Sequence, residues 1–317
     1  MTGPRPHTPG LLGLGDATVD IYLSQGMQYP GGNTVNVAVQ ARRQGMATGW
    51  LGCLGRDMLG DLVHDSLVAE DVDVGRARRI DGPNPWSRVR HEGRDRVFCG
   101  SNPGVRGRYD LDDADGRYMA GFAIVHTSVH SDLDARMPWL RAHCQELSYD
   151  YSVHWRRPGV VETLAYVDIA FLSAPQRTEA GILDLMRHFA ERGPRIVVAS
   201  RGARGAMALA RGVGGEETVS AAAVPTDLID TLGAGDALIA GFLVAHSNGL
   251  SLSDCLARGT AQAARACAEK GGFGHGMKIV PNQPGLDASQ IVRAPVTPAE
   301  SEWHWDTPSK PRKGSAT

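Results

Sequence analysis

Residues Asp230–Leu243 read DTLGAGDALIAGFL. Two glycines and an alanine stand between two aspartates, directly ahead of an apolar run. The run predicts a helix whose first turn is stripped of side chains. A helix start leaves backbone N–H groups without intrahelical acceptors, and the macrodipole adds partial positive charge there. An anion takes up those donors when no side chain blocks the approach. Gly233, Ala234 and Gly235 meet that requirement; the competing reading is a glycine turn that only orders a strand-to-helix junction. Asp236 would project from the first turn beside a bound phosphoryl group, ready to accept a proton from an attacking hydroxyl. Asp230 is expected to hydrogen-bond the turn from outside.

Outward from this stretch, strand-like and helix-like segments alternate. LLGLG (11–15), GWLGCLG (49–55), FAIVHTSV (122–129), LSYDYSV (147–153), VDIAFLS (167–173) and RIVVAS (195–200) are apolar runs of buried-strand type. Between them, NTVNVAVQARRQG (33–45), GDLVHDSLVAEDV (60–72) and TEAGILDLMRHFAERG (178–193) carry helical spacing. The alternation predicts a mostly parallel central sheet with helices on both faces, a three-layer α/β sandwich. WSRVRHEGRDRVFCG (86–100) breaks the rhythm with period-2 alternation around Gly93, as a hairpin does. Together with the segment around 12–32 it is expected to form a small β-lid. A single domain is expected over 11–276, followed by a Pro-rich, aperiodic tail over 277–317.

The 317 residues are 42% hydrophobic and 21% charged, with net charge −2 and no basic run. That balance fits a globular chain and gives no reason to expect nucleic acid as a partner. The N-terminus lacks an apolar stretch of signal-peptide length and no segment reaches a membrane span, so a cytoplasmic location without membrane partners is expected. The five scattered cysteines contain no CxxC pair and read as reduced thiols. No GxxxxGK[ST] is present, which excludes a P-loop. GLGDAT (13–18) begins like a dinucleotide fingerprint but lacks its third glycine.

DTLGAGD followed by an apolar helix resembles the C-terminal signature of the ribokinase-like, phosphofructokinase B type carbohydrate kinases. PGGNTVNVAV (30–39) is similar to the family's N-terminal signature, GCLGRDMLG (52–60) to the strand and turn that follow it, and VASRGARGAM (198–207) to its nucleotide-contacting turn. GDATVDIY, DRVF, IVH and SAPQ, taken with these, resemble the branch that phosphorylates Amadori products such as fructoselysine, a ketose carried on a lysine amine. The resemblance implies a ribokinase-like sandwich, ATP and Mg²⁺ as cofactors, and transfer to a sugar primary hydroxyl, O6 of the sugar-amine. Fructose, ribose and 2-keto-3-deoxygluconate remain alternative acceptors, and an inactive sugar-binding regulator is a second class. It also implies a homodimer formed through the lid.

Carried over by resemblance, Asp236 is the base, and Gly233, Ala234 and Gly235 form the anion hole. Asp20, Gly32 and Asn36 would hold the sugar; Asn33 would do the same or cap its helix. Ser200, Gly202 and Gly205 would line the nucleotide, with Arg201 and Arg204 beside them either touching phosphates or standing as solvated neighbours. An Asn-x-x-Glu pattern that organises magnesium through water is replaced here by Gln176 and Glu179. No metal bound directly by protein is implied. His126, His130 and His154 fall at strand ends facing the cleft, as sugar contacts or as structural histidines. Arg88, Arg90 and Arg96 of the lid would either meet a substrate carboxylate or form a hairpin's solvent face.

Overall fold

A computed structural model describes residues 10–92, 95–287 and 291–292. In chain order the strands are β1 (Gly10–Gly15), β2 (Thr18–Tyr22), β3 (Met27–Gly31), β4 (Ala47–Gly55), β5 (Arg78–Ile80), β6 (Trp86–Glu92), β7 (Asp95–Asn102), β8 (Ile124–Ser128), β9 (Glu146–Asp150), β10 (Ile169–Ser173), β11 (Ile196–Ser200), β12 (Ala206–Gly212), β13 (Gly215–Ala221) and β14 (Met277–Lys278). The helices are α1 (Asn33–Arg42), α2 (Met58–Ala69), α3 (Asp113–Met119), α4 (Met137–His143), α5 (Val160–Leu164), α6 (Glu179–Ala190), α7 (Ala234–Ser247) and α8 (Leu252–Ala266). The central sheet runs β13-β12-β11-β10-β9-β8-β1-β4-β5. It is parallel from β5 to β11, and only β12 and β13 run against their neighbours.

The alternation within each strand shows why this sheet needs two helical layers. Ile169, Phe171, Ile196 and Val198 face one side and pack with Leu238, Phe242 and Leu256 of α7 and α8. Ala170, Leu172, Val197 and Ala199 face the other and pack with Ile182, Leu185 and Phe189 of α6. Both faces are apolar because both are covered, as parallel strands require. The three-layer sandwich expected from the alternation is therefore present. No disulfide joins the cysteines.

A second sheet, β14-β3-β2-β6-β7, stands beside the sandwich. The β6–β7 pair is antiparallel with a register shift between Arg88 and Val89; the tip around Gly93 lies outside the described residues. Its polarity is misleading, since Trp86, Val89 and Arg88 are all buried. The segment after Gly276, read from sequence as a tail, begins as a strand of this sheet, with β14 pairing antiparallel to β3. Gln283 and Gln28 exchange side-chain amide bonds of 2.6 and 3.2 Å, and Arg88 Nε donates to Gly285 O at 2.6 Å. Residues 277–287 therefore lie against the lid. The remainder of the Pro-rich stretch, apart from 291–292, is outside the described residues.

Candidate active site

The site sits where the parallel strands end and two glycine-led helices begin. At the first helix start, Gly32 precedes α1 with φ 110°. A Cβ there would lie 2.8 Å from Ala17 Cα and Asp16 O, so only glycine lets β3 turn into the helix at this crossing. Asp16 Oδ2 accepts from the Asn33 N–H at 2.7 Å, and its Oδ1 accepts from Ser128 Oγ at 2.8 Å and Ser131 Oγ at 3.0 Å. The GLGDAT segment thus places its own buried carboxylate where a dinucleotide would need to seat phosphate, and the fingerprint reading fails.

At the second helix start, Gly233 precedes α7 with φ 73°, and a Cβ on it would lie 2.7 Å from Gly272 Cα. Asp230 is buried and secures the turn from behind. Its Oδ1 accepts from Leu232 N at 3.0 Å; its Oδ2 accepts from Tyr22 Oη at 2.8 Å and Gly271 N at 3.1 Å. The Ala234 N–H reaches Thr231 O at only 3.3 Å, a long bond readily given up. A Cβ on Gly235 would meet nothing within 4 Å. The first turn of α7 is therefore bare on its outer side.

Packing of α1 on α7 brings two amides against the carboxylate of Asp236. Asn33 Nδ2 donates to Oδ1 at 2.7 Å and Asn36 Nδ2 donates to Oδ2 at 2.6 Å. Both oxygens are thus held by amides of α1. Asn36 Oδ1 is buried without a hydrogen-bond partner. A methyl placed on Gly31 would lie 2.8 Å from Asp20 Oδ2 and 3.8 Å from Asn36 Oδ1, so these acceptors flank one spot beside Asp236. Asp20 itself is a buried residue of β2 in the lid sheet.

A cavity of about 150 Å³ runs from Gly235 and Asp236 past Asp150 and Ser152 to Ser173 and Ser200. Asp150, at the end of β9, was not foreseen. Its Oδ1 accepts from Ser152 N at 2.8 Å and its Oδ2 from Asn33 Nδ2 at 2.9 Å. Burial, and then the charge of Asp236, pushes its pKa up to about 8. Asn33 is fully engaged by these contacts and by His126 Nε2, 3.0 Å from its Oδ1. It neither caps α1, whose cap is Gly32, nor has a donor left for a sugar, so the contact expected of it gives way to a bridging role.

Of the residues expected at the nucleotide, Ser200 borders the cavity and Gly202 lies on the exposed turn after β11. Gly205 is buried, and a Cβ on it would lie 2.0 Å from Ala221 O; its glycine serves that packing. Arg201 is part-buried and Arg204 exposed, and both are tethered by hydrogen bonds. Arg201 Nη1 holds Glu179 Oε2 at 3.1 Å, and Arg204 Nη2 donates to Pro175 O at 2.6 Å and Arg177 O at 2.8 Å. Gln176 and Glu179 are exposed at the entry to α6.

Among the histidines, His126 is fully buried in β8, and burial pushes its pKa down to about 3. The His130 and His154 rings lie 5.3 Å apart, both also shifted down by burial. No metal-binding cluster of three His, Cys, Asp or Glu occurs among the described residues. Arg88 lies under residue 285 with its guanidinium 5.4 Å from the Trp86 ring centroid, so it is neither a solvent face nor an open carboxylate clamp. Arg90 is exposed, and the side chain of Arg96 lies outside the described residues.

Residues 12–275 match the pfkB family carbohydrate kinase. The chain is 33% identical over 263 residues to fructoselysine 6-kinase of Escherichia coli, covering 83% of this chain and 99% of that one. It is also 33% identical over 270 residues to a fructosamine kinase of Bacillus subtilis, covering 84% and 93%. The fold is shared with Arabidopsis thaliana ribokinase complexed with ribose and ATP, at TM-score 0.72 and 21% identity over 83% of this chain and 94% of that one. A putative ribokinase II from E. coli in complex with ATP and Mg²⁺ superposes at TM-score 0.70 and 20% identity, covering 84% and 94%. Among the described residues no helix is long and apolar enough to cross a membrane.

Proposed function

The chain belongs to the pfkB family of carbohydrate kinases and is a sugar kinase, and from that premise we propose that it transfers the γ-phosphoryl of ATP to O6 of fructoselysine or a related sugar-amine. The observation that carries the catalytic half is Asp236, held by one amide donor on each oxygen beside a bare helix start. The substrate half rests on the similarity to fructoselysine and fructosamine kinases over more than four fifths of the chain.

In this reading the sugar lies against Asp20, Gly32 and Asn36, whose unpaired Oδ1 accepts a hydroxyl hydrogen. Asp236 takes the proton of the attacking primary hydroxyl. Phosphoryl transfer passes through a loose transition state with charge on the equatorial oxygens, so the N–H groups of Gly233, Ala234 and Gly235 contribute most as that charge develops. Asn33 holds the base in place. Ser200, Gly202 and the backbone at Gly205 border the nucleotide.

Magnesium fits as an ion that keeps its waters and phosphate ligands. The solvated carboxylate of Glu179 and the amide of Gln176 suit such outer-sphere contacts. When bound with the nucleotide, the ion would neutralise charge on the β- and γ-phosphates. A cytoplasmic location goes with ATP as donor. A homodimer paired through the lid belongs to the same reading, and sedimentation at two protein concentrations tests it.

A coupled ADP-release assay with fructoselysine, fructose, ribose and 2-keto-3-deoxygluconate tests the proposal, with the phosphorylated position read by NMR. Fructoselysine should give the highest kcat/KM and a 6-phosphate. A higher value for a bare sugar or sugar acid would replace the acceptor and keep the kinase. No turnover of any sugar, with retained binding, would favour a regulator.

A further inference from the structure

Asn33 spans two carboxylates, and what orients its amide lies in the sheet behind it. Its Nδ2 is 2.7 Å from Asp236 Oδ1 and 2.9 Å from Asp150 Oδ2, one hydrogen for each. Its Oδ1 is 3.0 Å from His126 Nε2. An amide oxygen only accepts, so Nε2 carries the hydrogen and Nδ1 the lone pair. Ser148 Oγ stands 2.9 Å from Nδ1 and donates to it. Every hydrogen in the row Ser148–His126–Asn33 then points the same way, toward the carboxylates.

We propose that His126 is a positioning residue for the base: donating from Nε2, it fixes the Asn33 carboxamide with both amide hydrogens on Asp236 and Asp150. The inference rests on Asp236 being the base of the reaction proposed above. The alternative arrangement is concrete. A flipped Asn33 would turn its oxygen to both carboxylates and its NH₂ to an Nε2 lone pair, with the imidazole hydrogen moved to Nδ1. Ser148 would then accept rather than donate. The carboxylates alone resist that flip only while both are charged, and a proton on Asp150 weakens their hold. His126 with Ser148 supplies a bias that does not depend on their charge.

The fold explains the placement. His126 pairs in register with Gly13 of β1 and Ser148 of β9, at the middle of the sheet. By the two-residue period it shares the face of Ile124, which packs toward α1 and α7, and Ser148 shares its face with Asp150. No water reaches the ring, and Phe171 meets it edge-on at 6.4 Å. Burial keeps the imidazole neutral, so the donor persists across the neutral pH range.

The test has one arm that needs no substrate. In ligand-free full-length protein with ¹⁵N-labelled histidine, long-range ¹H–¹⁵N correlation should show His126 as the Nε2–H tautomer from pH 6 to 8. An Nδ1–H or doubly protonated ring overturns the proposal even if no sugar is turned over. In Ser148→Ala the correlation should report a mixture of tautomers; an unchanged pure Nε2–H form removes Ser148 from the row. The kinetic arm uses whichever sugar the acceptor screen identifies. His126→Leu should lower kcat by up to about 10²-fold with KM altered less than about threefold, as for a misplaced catalytic group. His126→Gln, which keeps an N–H donor, should recover most of that loss. Equal impairment of the two variants at equal Tm, or a change confined to KM, makes His126 merely structural and defeats the inference.

Discussion

The two helix starts that meet at the site are built alike and finished differently. Both α1 and α7 follow a glycine with positive φ, and neither has a side-chain cap from its own N-cap residue. At α1 the carboxylate of Asp16 closes the end, bonded to the first N–H and to two serine hydroxyls. At α7 the equivalent carboxylate, Asp230, has been withdrawn behind the turn, where it bonds Leu232, Gly271 and Tyr22. One helix start is satisfied internally and serves as a fixed platform for Asn33 and Asn36. The other keeps its outer side bare and adds Asp236. On the proposed reading, an anion-binding end is made by moving one carboxylate, since the unfilled dipole and N–H groups come with any helix.

The sharpest way to break the comparison is to remove the carboxylate that α7 adds. Asp236→Asn should lower kcat by about 10²–10⁴-fold, the usual worth of a general base, while isothermal titration still detects nucleotide binding. Undiminished turnover would remove Asp236 from its role. Next in size, Gly235→Val fills the bare side of α7. Nothing lies within 4 Å of the new Cβ, so the fold tolerates it. Loss of donor access should cost about 10²–10³-fold in kcat, with stability within about 1 kcal/mol of the parent. A variant of full activity would mean that no anion approaches there.

Asp16→Ala opens the other end. The Asn33 N–H and two buried hydroxyls lose their acceptor, so the denaturant midpoint should fall by an amount equivalent to about 1–3 kcal/mol. Activity should fall with it, because α1 carries both amides that hold Asp236. If Asp16→Ala were as stable as the parent, α1 would not depend on its internal cap.

These contrasts were unevenly legible in the sequence. The open end announced itself, because GAG between aspartates ahead of ALIAGFL has no use for side chains in its first turn. The sandwich was legible for a similar reason: strands covered on both faces must be apolar throughout, as IAFL and IVVA are. The closed end was not, since two strands of another sheet separate Asp16 from Asn33 in the chain, and GLGDAT carries no local sign of that partner. Asp150 and Ser148 were hidden by the reverse effect. LSYD scans as a strand with polar interruptions, and only the contacts of Asn33 with Asp150 and of His126 with Ser148 show what those interruptions serve. The lid's start of the tail escaped because a two-residue edge strand, Met277–Lys278, is too short to have a period.

The last prediction concerns Asp150, whose carboxyl shares the Asn33 amide with Asp236. Asp150 has a folded pKa near 8 against an ordinary value of 3.8, so the native state binds its proton more tightly than the unfolded chain does. Its contribution to stability is fully present below about pH 4 and is lost as pH rises through 8, at up to about 1.4 kcal/mol per pH unit. Chemical denaturation between pH 5 and 8 should therefore show a downward slope in the ligand-free parent that is flattened in Asp150→Asn. A parallel slope in both would mean that Asp150 is ionised throughout. Asp236→Asn separates the two causes of the shift. Burial is the larger cause and the neighbouring charge the smaller, so the slope should survive that substitution but end at a lower pH.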